Sequence, residues 1–239
     1  FSFTKNPEET MYFFEEILHD IRQHTFDKTY YFDLSKVKVL TIDAVMYIIA
    51  VLKDLKSNDL FRYNFEGNVP QETEDRNLLI ESGFYLYVNS KLKNIQQKNN
   101  KIQVIADKRI AQDKAKEICD FVNSICGTKR TFTMPLYSTI VELMENTIHH
   151  AYDNSLIATR WYIFVESKED IMQFTFLDTG EGIPTTINKR FKEKVAKLLL
   201  LGKSDSEFIS SALKGEFRTK TKKQNRGKGL PMIHDHATN

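Results

Sequence analysis

Glu142, Asn146 and His150 stand at i, i+4 and i+8 in Glu142-Leu-Met-Glu-Asn-Thr-Ile-His-His150, so a helix through them ranges three polar side chains along one edge. Metal-nucleotide chemistry suits that edge. An Asn carbonyl oxygen is a hard neutral ligand for Mg²⁺, which keeps several waters and shares its other positions with phosphate oxygens. A carboxylate one turn away can take a proton from an attacking water or hydroxyl. The spacing alone is common, and the solvent face of an ordinary helix produces it equally well. Glu145 falls further round, toward solvent, so the general-base role goes to Glu142 rather than to the neighbour of Asn146.

Two glycine segments give this edge a context. Glycine is scarce, 9 of 239 residues, yet four occur in Asp178-Thr-Gly180-Glu-Gly182-Ile183-Pro184 and Arg226-Gly227-Lys228-Gly229-Leu230. Paired glycines after a strand or before a helix suit backbone that must approach a phosphate or a base closely. Asp178 ends the strand-like run Gln173–Leu177, where a buried carboxylate would accept the exocyclic amine of adenine and repel the carbonyl oxygen of guanine. An Asp-Gly turn explains the same residues taken by themselves. Gly227 and Gly229 precede Leu230-Pro-Met-Ile-His234, a helix start with Pro231 in its first turn, whose amides could hold a polyphosphate. Arg218, Lys220, Lys222, Lys223, Arg226 and Lys228 occur with no acid among them and read as a mobile lid over such phosphates. No aromatic residue interleaves with them, so a nucleic-acid partner is not expected.

The elements that must position these groups follow from periodicity. In the first half, apolar faces predict helices over 7–24, 40–55 and 72–82, the last stopped by Gly83, with strands at 30–33 and 61–65. Alternating helix and strand signals indicate an α/β class. The stretch 89–101 is rich in Asn, Lys, Gln and Ser, which divides the chain into a first domain over 1–92, a linker over 93–106 and a second domain over 107–239. There the pattern predicts a helix over 107–125 closed by Gly127, the motif helix over 136–152, a hairpin of 158–165 with 172–177, and helices over 187–201 and 205–213. In the motif helix Leu136, Ile140, Leu143, Met144, Thr147 and Ala151 form the core stripe.

Composition excludes several classes. At 41% apolar and 28% charged the chain is an ordinary globular sequence, and a net charge of +2 does not by itself indicate nucleic acid. No apolar run approaches the roughly 20 residues of a bilayer span, and the first residues lack a secretory pattern, so a cytoplasmic location without a membrane partner is expected. Cys119 and Cys126, two turns apart on one helix, read as buried reduced thiols. His149 and His150 are adjacent and have no Cys or third His nearby in sequence, a poor zinc pattern. Trp161 and the many Phe and Tyr residues read as core.

With its three segments in this order, the stretch from Asp107 to Asn239 resembles the GHKL superfamily of ATP-binding domains, shared by gyrase, MutL, histidine kinases and anti-sigma serine kinases, and is most similar to the anti-sigma branch. The resemblance implies a Bergerat α/β sandwich with ATP and Mg²⁺ as cofactors. It implies Glu142 as general base, Asn146 as Mg²⁺ ligand, His150 as a nucleotide-side residue, Asp178 on adenine, and Gly180, Gly182 and Ile183 in the adenine-side turn. Arg226, Gly227, Lys228, Gly229 and Leu230 form the phosphate-side segment. The family pattern continues into strands carrying a Gly-Thr pair, which do not follow here, so the sheet is expected to be incomplete in this sequence. No phosphoacceptor His stands in the preceding helix, unlike sensor histidine kinases. The first half is similar to the STAS domains of anti-sigma antagonists through Asp33-Leu-Ser-Lys-Val-Lys-Val-Leu-Thr-Ile-Asp43. Asp43 takes the place of the regulated Ser or Thr, which implies an interaction surface; a shift of one or two residues brings in Thr41 instead. The function implied is an ATP-dependent regulatory switch with a protein partner in signalling or defence of the bacterial kind, with self-association left open. The alternatives are an anti-sigma-type serine/threonine kinase and a non-enzymatic scaffold that keeps a vestigial site.

Overall fold

The computed structural model describes residues 1–23, 28–56, 63–88, 101–127, 130–150, 160–168, 171–180, 182–183, 185, 202, 204–217 and 229–238. Their architecture is mixed α/β. The chain divides into two compact units, one of residues 1–106 with 162–177, the other of 107–161 with 178–239.

In the first unit, α1 (Pro7–Gln23), β1 (Lys28–Phe32), α2 (Ile42–Lys56), β2 (Tyr63–Gly67) and α3 (Thr73–Ser82) follow in order, with a short 3₁₀ turn at Phe84–Leu86. β1 and β2 are parallel, with Tyr30 opposite Phe65. Parallel neighbours need a crossover, and α2 lies within it. Both strands alternate, turning Tyr63 and Phe65 inward while Thr29, Tyr31, Asn64 and Glu66 face solvent. The α2 helix is apolar over most of its circumference, and Val45, Met46, Ile49, Ala50 and Leu52 are buried. Gly83 ends α3 in the left-handed conformation at φ 87°, where its N–H reaches back to the carbonyls of Leu79 and Ile80.

A second sheet, in the order β3 (Lys101–Asp107), β4 (Trp161–Lys168), β5 (Ile171–Asp178), completes this unit. β3 arises at the end of the stretch read as the linker. Residues 162–177 group with the first unit because Tyr162 and Phe164 enter the same core as Val45, Leu79 and Phe84. Lys101 sits between Glu81 of α3 and Glu166 of β4, the latter at 2.9 Å. Burial alone would pull the Lys101 ammonium down, but the two carboxylates outweigh it and hold the group above its ordinary range. Asp43, in the first turn of α2, accepts the backbone N–H of Phe3 at 3.0 Å and the Thr41 hydroxyl. The position expected at the phosphoacceptor site thus anchors the opening segment of the chain.

The second unit is helical around its strand ends. On α4 (Gln112–Cys126), Ala115, Ile118, Cys119 and Val122 repeat every three or four residues and are buried, and Gly127 closes it at φ 61°. Both thiols are free, but only Cys119 is buried, its Sγ 3.6 Å from the Thr133 carbonyl. Cys126 is exposed, contrary to expectation, because the core stripe of α4 ends at Val122. The α5 helix (Arg130–His150) starts six residues before the expected Leu136, with Pro135 inside it. Pro135 stands in the second turn, past the first-turn positions where proline is tolerated, and removes one amide donor from the ladder; α4 and α5 nonetheless pack together. α6 (Asp205–Leu213) opens on a capping box of Ser204 and Glu207, and α7 (Gly229–Thr238) follows. The expected helix over 187–201 lies outside the described residues, as does the basic run 218–228. No described helix is long and apolar enough to cross a membrane.

Candidate functional site

The core stripe of α5 is placed as its periodicity predicts. Ile140, Met144 and Thr147 are buried, and the Thr147 hydroxyl is tied to the carbonyl one turn back at 3.0 Å. Rotated from that stripe, Glu142 and Asn146 are each partly buried. Burial, with the charge of Glu145 adding to it, raises the proton affinity of the Glu142 carboxyl above its ordinary value. Asn146 presents a buried side-chain amide nitrogen that has no hydrogen-bond partner among the described residues. A buried donor left unmade costs about 1–3 kcal/mol; Asn6 Oδ1 and Arg160 Nε are likewise buried without a partner among the described residues. His150 is the last residue of α5, and its side chain lies outside the description.

α7 packs directly on α5. Its first residue, Gly229, meets Glu142 so closely that a Cβ at 229 would fall on the Glu142 carboxylate and lie 2.7 Å from its Cγ. Eighty-seven residues apart in sequence, the motif helix and the second glycine segment are therefore in contact. The two glycine segments also meet a common partner. Phe208 and Ala212 on α6 form a small buried cluster on which Ile183, from the first segment, and Leu230, from the second, both pack.

The strand end departs from expectation. Asp178 closes β5 but is exposed rather than buried. Its Oδ1 accepts the N–H of Gly180 at 2.9 Å, the Asx turn that an Asp-x-Gly sequence forms locally, and this turns the side chain away from the interior. Gly180 is partly buried, and Gly182 is exposed with a left-handed φ of 80°. Thr179 carries the inward role instead. It is buried, its amide donates to the carbonyl of Arg160 at 3.1 Å, and its hydroxyl accepts the N–H of Arg160 at 3.0 Å. The indole of the fully buried Trp161 donates to the carbonyl of Arg109 at 2.7 Å, fixing the start of β4. Trp161 was legible as core. Phe208, Ala212 and Thr179 were not singled out, although the apolar periodicity of 205–213 and the alternation up to Thr179 carried that signal.

The geometry thus brings Gly229 onto Glu142, with Asn146 one turn along, and sets Ile183 and Leu230 against Phe208 and Ala212. Arg226, Gly227 and Lys228 fall outside the described residues. The donor set is a carboxylate, a neutral amide and a helix start, which suits a hydrated hard cation carrying phosphate better than a bare soft metal. Comparison with family models, with curated proteins and with solved structures finds no match.

Proposed function

We propose that residues 107–239 form a GHKL-type Mg-ATP site and that the protein is an ATP-hydrolysing regulatory switch, with a STAS-like first domain serving as an interaction surface for a protein partner. The observation that carries this reading is the contact of Gly229 with Glu142, one turn from a buried Asn amide nitrogen that has no partner among the described residues. Asn146 would hold Mg²⁺ through Oδ1 and give its unmet N–H donors to a phosphate oxygen or a bound water. Mg²⁺ would neutralise charge on the phosphates and orient them. Glu142 takes the proton of a water whose oxygen bonds to the γ-phosphorus as the bond to the ADP oxygen breaks; its raised proton affinity suits it to that task. Asp178 is exposed and commits Oδ1 to the turn, so an adenine amine would meet only its Oδ2, from the solvent side.

Calorimetric titration with ATP, ADP and GTP, with and without Mg²⁺, tests the reading on wild type and Asp178→Asn. Mg-dependent binding of adenosine nucleotides is expected, with the preference over GTP lost in the variant. Indifference to adenosine nucleotides at millimolar concentration would overturn the proposal. Incubation with γ-labelled ATP then reports the acceptor: free phosphate for the ATPase, labelled protein for a serine/threonine kinase.

A further inference from the structure

Gly229 opens α7 in helical conformation, so no left-handed backbone requires a glycine there. What excludes a larger residue is a neighbouring side chain, because the volume a Cβ would fill is already held by the Glu142 carboxylate. α5 and α7 pack along each other, so this overlap cannot be relieved without moving either the carboxylate or the helix.

We infer that Gly229 is a positioning residue for Glu142: its bare α-carbon is the seat that fixes where the carboxylate stands, and it ties the placement of α7 to the placement of the base. The inference rests on the reading of Glu142 as the general base. It differs from a role in which glycine only lets a phosphate approach the backbone. A phosphate-approach glycine governs nucleotide affinity, whereas a seat for the base governs turnover. The seat also accounts for part of the burial that lifts the Glu142 carboxyl above its ordinary proton affinity, since the first turn of α7 covers one side of it.

Gly229→Ala is the test. The added methyl displaces the carboxylate, so kcat for ATP hydrolysis is expected to fall about a hundredfold, the usual effect of a misplaced catalytic group, while the Kd for Mg-ATP stays within about twofold. In the nucleotide-free protein, carbon-13 NMR titration of the Glu142 carboxyl should show its midpoint falling toward that of an ordinary glutamate. A large loss of ATP affinity with kcat preserved would assign Gly229 to phosphate approach and overturn the inference. So would an unmoved Glu142 titration.

Should Gly229→Ala fold too poorly for kinetics, thermal melting in a double-mutant cycle with Glu142→Ala gives the same answer. Removing the carboxylate empties the space, so Gly229→Ala should lower Tm in the wild-type background and leave it nearly unchanged in the Glu142→Ala background. Equal losses in both backgrounds would overturn the seat. If ATP is neither bound nor hydrolysed, the functional reading fails, while the titration and the melting cycle still decide the contact.

Discussion

Asp33 and Lys101 in the first unit and Glu142 in the second are treated in opposite ways. In the first, Asp33 accepts from the Ser35 hydroxyl and the Asn68 amide and is held down to about 2. Lys101, though largely buried, is kept charged by Glu81 and Glu166. Both groups are answered by partners, although Asn6 Oδ1 of the same unit is buried without one among the described residues, and aromatic and aliphatic side chains fill the rest, from Val45 and Met46 to Tyr85 and Phe164. In the second unit the contacts on α5 run the other way. Glu142 is desolvated beside a like charge, and Asn146 keeps a buried nitrogen without a partner among the described residues. A buried group left without a partner keeps interaction energy that a bound ligand could recover.

The largest effect that would sharpen this contrast is on turnover. Glu142→Ala should reduce ATP hydrolysis by about 10²–10⁴-fold, the range for a general base, with far-ultraviolet circular dichroism unchanged. A Glu142→Ala protein as active as wild type would place the chemistry elsewhere. Next comes Lys101→Met, which leaves Glu81 and Glu166 facing each other without the ammonium. Breaking a buried pair by removing one partner costs about 3–5 kcal/mol, and urea denaturation should show a loss of that order. If Lys101→Met is neutral, the first unit does not depend on its ion pairs.

Asn146→Leu inverts the usual sign. An apolar side chain of similar volume removes the unsatisfied amide, so the nucleotide-free protein should gain about 1 kcal/mol while losing Mg-dependent ATP binding. Destabilisation instead would mean that the amide already serves the fold.

The smallest effect is a pH dependence. The folded state raises the Glu142 proton affinity, so on a rising pH the unfolded chain gives up its proton first and stability is lost across that window. Below the unfolded value both states are protonated and nothing is lost. Glu142→Gln should therefore melt higher than wild type at pH 7, with the difference closing as the pH falls below about 4. A difference that persists unchanged at pH 3 would mean that the carboxyl is not desolvated.

Local chemistry was readable wherever a pattern repeats within a few residues. The apolar stripe of α5, the Gly83 and Gly127 helix stops and the helix opening near Leu230 all depend on neighbours in the chain. Periodicity carries no information about which stripe meets which element, so the grouping of 162–177 with the first core could not be read from the hairpin pattern. Asp178 shows the same limit at one residue. Its type and strand-end position were clear, but whether its carboxylate turns inward or bends back onto Gly180 depends on a competition between a local turn and distant packing.

By itself, then, the sequence determined the helices and strands around the motifs, the spacing of Glu142 and Asn146 along one helix edge, and the two glycine pairs that flank it in the chain. Only the tertiary structure decided that Gly229 lies on Glu142, that Ile183 and Leu230 share Phe208, and that Thr179 rather than Asp178 faces inward. The reason is physical: hydrogen-bonded turns and amphipathic periods act over about four residues, whereas close packing matches surfaces that the chain brings together from more than eighty residues apart.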